Sequence, residues 1–119
     1  MARILLAEDD DQMRAFLSRG LRRAGHIVDA VGDGASGIER ARDADYDLVL
    51  ADVVMPGIDG IELARRVAAR QPGVRIMFIT GFAAVALQDD RFAPLRSRLL
   101  TKPFHLRHLI AEIEALLSQ

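Results

Sequence analysis

The chain has 119 residues, of which 50% are hydrophobic and 28% charged, with a formal net charge of −1 and no cysteine. That length supports one domain, able to bury about two-thirds of its unfolded surface. The near-neutral charge gives no basic field toward nucleic acid or an anionic membrane, and the lack of cysteine excludes disulfide scaffolds, thiolate metal sites and cysteine nucleophiles.

The first apolar run, Ile4–Ala7, is cut short by Glu8-Asp9-Asp10-Asp11 and does not read as a signal peptide. No apolar stretch approaches the ~20 residues that span a bilayer, so a soluble, cytoplasmic protein is expected. Met13, Phe16, Leu17 and Leu21 recur at helical spacing from about Gln12 to Ala24 and predict a core-facing stripe, with Gly25 as the residue that ends the helix. Asp10 and Asp11 suit capping and dipole roles at its start.

His26–Val31 reads as a second strand, followed by the turn Gly32-Asp33-Gly34 and a helix to about Ala44. Leu48–Ala51 is a wholly apolar third strand ending at Asp52. After the loop Met55–Gly60, Asp59 with Glu62 resembles a capping box and opens a helix to about Gln71. Arg75–Thr80 is a fourth strand. Residues 83–96 are the least regular, and Pro94 argues against one unbroken helix there. The apolar positions Ala83–Leu87, Phe92 and Leu95 offer a contact face, part of which must cover the sheet. Leu99–Thr101 is a short fifth strand, and Leu106, Leu109, Ile110, Ile113, Leu116 and Leu117 stripe a final helix.

Five strands alternating with five helices predict an α/β fold: a five-stranded parallel sheet, doubly wound as (βα)5. Ligands in such sheets bind outside the carboxyl ends of the strands. Those ends carry Glu8 and Asp9, Asp52, Thr80, and Thr101-Lys102-Pro103. Lys102 is the only lysine among sixteen basic residues. Crowded carboxylates call for a hard divalent cation such as Mg²⁺. Carboxylates with a lysine and a threonine suit phosphoryl transfer, in which a carboxylate can be the nucleophile. His26, His105 and His108 have neither metal nor catalytic spacing and read as structural or exposed.

The start Ile4-Leu5-Leu6-Ala7-Glu8-Asp9-Asp10, the segment Asp52-Val53-Val54-Met55-Pro56-Gly57-Ile58-Asp59-Gly60, Thr80-Gly81 and Thr101-Lys102-Pro103-Phe104 together resemble the receiver domain of two-component response regulators. The resemblance covers essentially the whole chain, with separations of 43, 28 and 22 residues from Asp9 through Asp52 and Thr80 to Lys102. It implies the flavodoxin-like fold of CheY, with Asp52 as phosphoacceptor. It implies Asp9 as direct Mg²⁺ (or Mn²⁺) ligand, Glu8 acting through water, and Val54 lending its backbone carbonyl. Thr80 would move toward the phosphoryl group and Lys102 would contact its oxygen, with Pro103 after a cis bond. A compact ammonium fits that role where a guanidinium fork would not.

The family often has an aromatic residue three positions before the lysine; here Leu99 stands there, so a ring flip cannot report the switch and the signal is expected to run through residues 81–98. In the family, the positions two after the acceptor and two after the threonine tune hydrolysis; the resemblance puts Val54 and Phe82 there, and neither can hydrogen-bond an attacking water, so a long-lived phosphoaspartate is expected.

Residues 1–119 read as one receiver domain without an output domain, catalysing nothing beyond its own phosphorylation and dephosphorylation. The segments quoted are similar to single-domain regulators of the CpdR type, which would imply a cell-cycle adaptor for ClpX–ClpP proteolysis. The implied partners are a histidine kinase or histidine phosphotransfer protein and a downstream protein, ClpX among the candidates, with neither nucleic acid nor membrane. The alternatives are a phosphorelay intermediate and a constitutively binding pseudo-receiver. A Mg²⁺-dependent phosphohydrolase would need a second acid and a cap domain, and the sequence offers neither.

Overall fold

The computed structural model describes residues 1–82, 88–92 and 94–119. Five parallel strands form one sheet in the order β2-β1-β3-β4-β5. They are β1 (Arg3–Ala7), β2 (Ile27–Val31), β3 (Leu48–Asp52), β4 (Arg75–Thr80) and β5 (Ser97–Thr101). The described residues hold four helices: α1 (Asp11–Arg23), α2 (Gly34–Asp43), α3 (Gly60–Arg70) and α4 (Leu106–Leu117). The predicted doubly wound arrangement is therefore present. Of the irregular stretch 83–96, Ala83–Leu87 and residue 93 lie outside the described residues, and 88–92 forms turns.

Strand residues alternate between two cores because successive side chains leave opposite faces of a sheet. Leu5, Val49, Ile76 and Phe78 pack on one face with Ile61, Leu63 and Val67 of α3. Ile4, Leu6, Leu48, Leu50, Met77 and Ile79 pack on the other with Leu17 and Leu21 of α1 and Leu109, Ile113 and Leu116 of α4. Covered on both sides, β1, β3 and β4 must be apolar at every inner position, which is why they read as continuous runs. The edge strand β5 starts two residues before the predicted Leu99, at half-buried Ser97 and Arg98 that carry no apolar signal.

The sequence stripe on α1 needs one correction. Leu17 and Leu21 are fully buried and Met13 packs beside them, but Phe16 is 46% exposed. The helix turns Ser18 and Gly20 inward instead. Gly20 sits where a Cβ would lie 2.5 Å from Leu106, so α4 approaches α1 closely there, leaving Phe16 at the margin of the contact. The helix ends as predicted: Gly25 takes φ 97°, its N–H donates to Arg22 O and that of His26 to Leu21 O. His26 is buried, its Nδ1 accepting the Ala2 N–H, whereas His105 and His108 are exposed.

Candidate functional site

Strand β1 lies between β2 and β3, so the chain leaves it toward one side and returns on the other. The carboxyl ends of β1 and β3 therefore flank the switch point, where open α/β sheets form their crevice. Glu8 follows β1 immediately and is fully buried; Asp52 closes β3 and is 7% exposed. Carboxylate oxygens of Glu8, Asp9 and Asp52 lie within 4.8 Å of one another. Lys102 arrives from the end of β5, its Nζ 2.7 Å from Asp52 Oδ2 and 3.0 Å from Glu8 Oε1.

The electrostatics follow from that crowding. Burial pushes the Glu8 carboxyl above its ordinary range, and the Asp52 charge adds to the push, against hydrogen bonds from Lys102 and Asp10. Burial also works against the Lys102 ammonium, but its hydrogen bonds to Asp52 and Glu8, with their charges, outweigh this and raise its pKa. One ammonium thus bridges two buried carboxylates, with the exposed Asp9 carboxylate within 4.8 Å of both acids.

Hydrogen bonds to the backbone fix the place of the cluster. The Glu8 N–H donates to Val31 O, and the Glu8 carbonyl accepts from Arg14 Nη1 at 2.9 Å. Asp10 caps α1 by accepting the Met13 N–H, the role its position predicted, and Glu8 Oε2 accepts the Asp10 N–H. After Asp52, the Val53 N–H donates to Ile79 O, the Val54 N–H reaches Asp52 Oδ1 at 3.1 Å, and the Gly60 N–H returns to Val53 O. The Lys102 N–H donates to Thr80 O at 2.8 Å, tying β5 to β4, and the Lys102–Pro103 bond is cis.

Thr80 is fully buried at the end of β4, where its hydroxyl accepts the Phe82 N–H at 3.0 Å. The structure thus brings Glu8, Asp9, Asp52 and Lys102 directly together. Thr80 joins them through its carbonyl, and Val54 through its amide. The side chains of Val54 and Phe82 are 52% and 61% exposed beside the crevice.

Arg14 and Gly60 escaped the sequence reading, although the first shares a turn with the acids and the second closes the loop after Asp52. The Asp59 cap was legible and accepts the Glu62 N–H at 2.9 Å. Glu62 itself turns to Arg65 and Arg66, so only half of the expected box forms.

A doubly wound parallel sheet that gathers carboxylates and one lysine at its switch point defines a receiver domain. The family description "Response regulator receiver domain" matches residues 4–114, and the chain belongs to that family. It is 55% identical over 117 residues to the response regulator receiver protein CpdR of Brucella abortus, covering 98% of each chain. The Vibrio cholerae chemotaxis protein CheY4 superposes with a TM-score of 0.89 at 25% identity, over 98% of both chains. The Thermotoga maritima response regulator TrrA, solved in complex with Mg²⁺-BeF, gives 0.86 at 26% identity over 98% of this chain and 99% of its own. Among the described residues no helix is long and apolar enough to cross a membrane.

Proposed function

We propose that Asp52 is the phosphoacceptor of this receiver and that its phosphorylation switches protein–protein contacts. The observation that carries the reading is the Asp52 carboxylate, held at the switch point by the only lysine of the chain, 2.7 Å away, beside Glu8 and Asp9. A carboxylate oxygen of Asp52 bonds to phosphorus as the donor's bond to phosphorus breaks. From a phosphohistidine protein, the imidazole leaves with the bonding electrons and takes up a proton; from acetyl phosphate, acetate leaves.

An all-oxygen set of clustered carboxylates suits Mg²⁺ or Mn²⁺, with Asp9, Asp52, the Val54 carbonyl and, through water, Glu8 as the holding groups. When bound, the cation supplies charge neutralisation between carboxylates and phosphoryl oxygens. Lys102 is placed to donate to a phosphoryl oxygen once Asp52 is esterified, and Thr80 to add its hydroxyl by exchanging its Phe82 contact. The donors are a histidine kinase or a histidine phosphotransfer protein. The likeness to CpdR supports a protein as output partner, with the ClpX protease machinery the first to test.

Intact mass after incubation with acetyl phosphate and Mg²⁺ tests the chemistry. One added phosphoryl group is expected in the wild type, and none in Asp52→Ala or in metal-free samples. An adduct that persists in Asp52→Ala would move the acceptor elsewhere. The exposed apolar Val54 gives a second expectation: Val54→Asn supplies an amide able to hold a water beside the acceptor and should speed loss of the adduct severalfold. An unchanged decay rate would remove this account of a long-lived phosphoaspartate.

A further inference from the structure

Arg91 joins two segments that the sheet alone does not connect. Its guanidinium forks onto Asp59, with Nη2 2.7 Å from Oδ2 and Nη1 3.2 Å from Oδ1. It also binds Asp89, with Nη2 2.7 Å from Oδ2 and Nε 3.0 Å from Oδ1. The Arg91 N–H adds a bond to Asp89 Oδ1, the Phe92 N–H donates to Asp89 O, and the Leu95 N–H to Phe92 O. Hydrogen bonds to Arg91, through side chain and backbone, pull the Asp89 carboxyl down to about 2.

Each partner leads somewhere definite. Asp59 caps α3 and precedes Gly60, whose N–H returns to Val53 O beside Asp52. Phe92, next to Arg91, packs against Phe78 of β4 in a tilted pair with ring centroids 5.0 Å apart, in the core against which Leu99 also packs. Both acids and the arginine are about a third exposed, and the bidentate fork makes the contact geometrically specific.

We infer that Arg91 is a latch that makes the loop after Asp52 and the turn at 88–92 one mechanical unit, so that loosening either loosens the other. Its place in signalling rests on the receiver reading: a change at Asp52 reaches Phe92 through Asp59 and Arg91, a route that needs no aromatic side chain at position 99.

Amide hydrogen exchange on the unphosphorylated, full chain tests the latch without any phosphoryl chemistry. Asp59→Asn keeps the helix cap, since asparagine caps as well as aspartate, but removes one of the two charges that Arg91 binds, the one on the loop after Asp52, and leaves Asp89. It should speed exchange at 88–92 about fivefold, the upper end for such a pair. Arg91→Ala should do the same at residues 53–59, with Arg91→Lys intermediate because an ammonium cannot fork. The double variant should be no looser than Arg91→Ala alone, since Asp59→Asn then has no guanidinium left to lose, and β1 should be unchanged in all.

Exchange that rises only around the mutated residue, or effects that add, would overturn the latch. Phosphoryl uptake, followed by intact mass, is measured separately. Absence of an adduct in the wild type would count against Asp52 as acceptor, while the exchange result would still decide the latch.

Discussion

Gly60→Ala should cost this protein about 3 kcal/mol or more of stability, at the upper end for overpacking, and disable phosphoryl uptake in whatever fraction stays folded. A Cβ at Gly60 would lie 2.0 Å from the Asp52 carbonyl oxygen, 2.8 Å from its carbonyl carbon and 3.2 Å from Val53 Cα. All three are backbone atoms of Asp52 and Val53, so no side chain can swing aside. Nor is the segment free to retreat, since Val53 donates to Ile79 O and accepts from Gly60, and Asp59 pins the first turn of α3. The requirement is for space and not for a left-handed backbone, since the positive-φ glycines are Gly25 and Gly57.

Gly73 provides the control. A Cβ there meets nothing within 4 Å and its φ is not positive, so Gly73→Ala should be neutral or slightly stabilising. Thermal or urea unfolding of the two variants beside the wild type checks this. If both alanine variants unfold alike, the close approach at Asp52 does not constrain the loop.

The contrast between these glycines marks where sequence reasoning stops. Gly25 was legible because a helix that has run out of apolar positions needs a residue tolerant of positive φ. Gly60 looked like one more loop glycine, because its role is set by the Asp52 carbonyl, which only the folded chain brings near. The strands β1, β3 and β4 were legible because burial on both faces forces every inner position to be apolar. Phe16 misled because an aromatic at helical spacing reads as core, whereas the close α1–α4 contact at Gly20 turned the buried arc toward small residues.

The candidate site divides on the same line. Glu8, Asp9, Asp52, Thr80 and Lys102 sit at strand ends, where a parallel sheet concentrates chemistry, so their convergence could be anticipated. Arg91 lies in a segment with little periodicity, and its partner Asp59 is 32 residues away. In an arginine-rich chain nothing singles it out before the turn at 88–92 is placed. Residues that hold a site are harder to read than those that form it, because their signal lies in a distant partner.

Lys102→Met should destabilise the metal-free protein by roughly 2–3 kcal/mol at neutral pH, somewhat less than the loss of a partner from a fully buried pair because Lys102 retains some exposure. The methionine keeps the chain length and removes the ammonium that faces Asp52 and Glu8, leaving two buried carboxylates opposed, among the described residues, by no positive side chain within hydrogen-bond reach. The pH dependence follows from the directions of the shifts. Glu8 already has its folded pKa raised by burial, and without Lys102 it rises further. A raised carboxyl favours folding only while protonated, so the deficit should be small below the ordinary value of 4.5 and grow as pH rises through the folded value. At the alkaline end, the wild type loses its advantage as pH passes the raised pKa of Lys102, above its ordinary 10.5.

Divalent cation should act in the opposite sense. With the competing ammonium gone, the carboxylate cluster is one charge more negative, so Mg²⁺ should bind Lys102→Met more tightly than the wild type and recover much of its lost stability. Phosphoryl uptake should nevertheless fall, because no ammonium remains to meet the incoming oxygen. Melting temperature against pH and Mg²⁺, with intact mass after acetyl phosphate, separates these effects. A variant as stable as the wild type in metal-free buffer at pH 7 would mean that the ammonium contributes little to holding the carboxylates together. Weaker Mg²⁺ binding would mean that Lys102 positions Asp52 for the cation and does not compete with it.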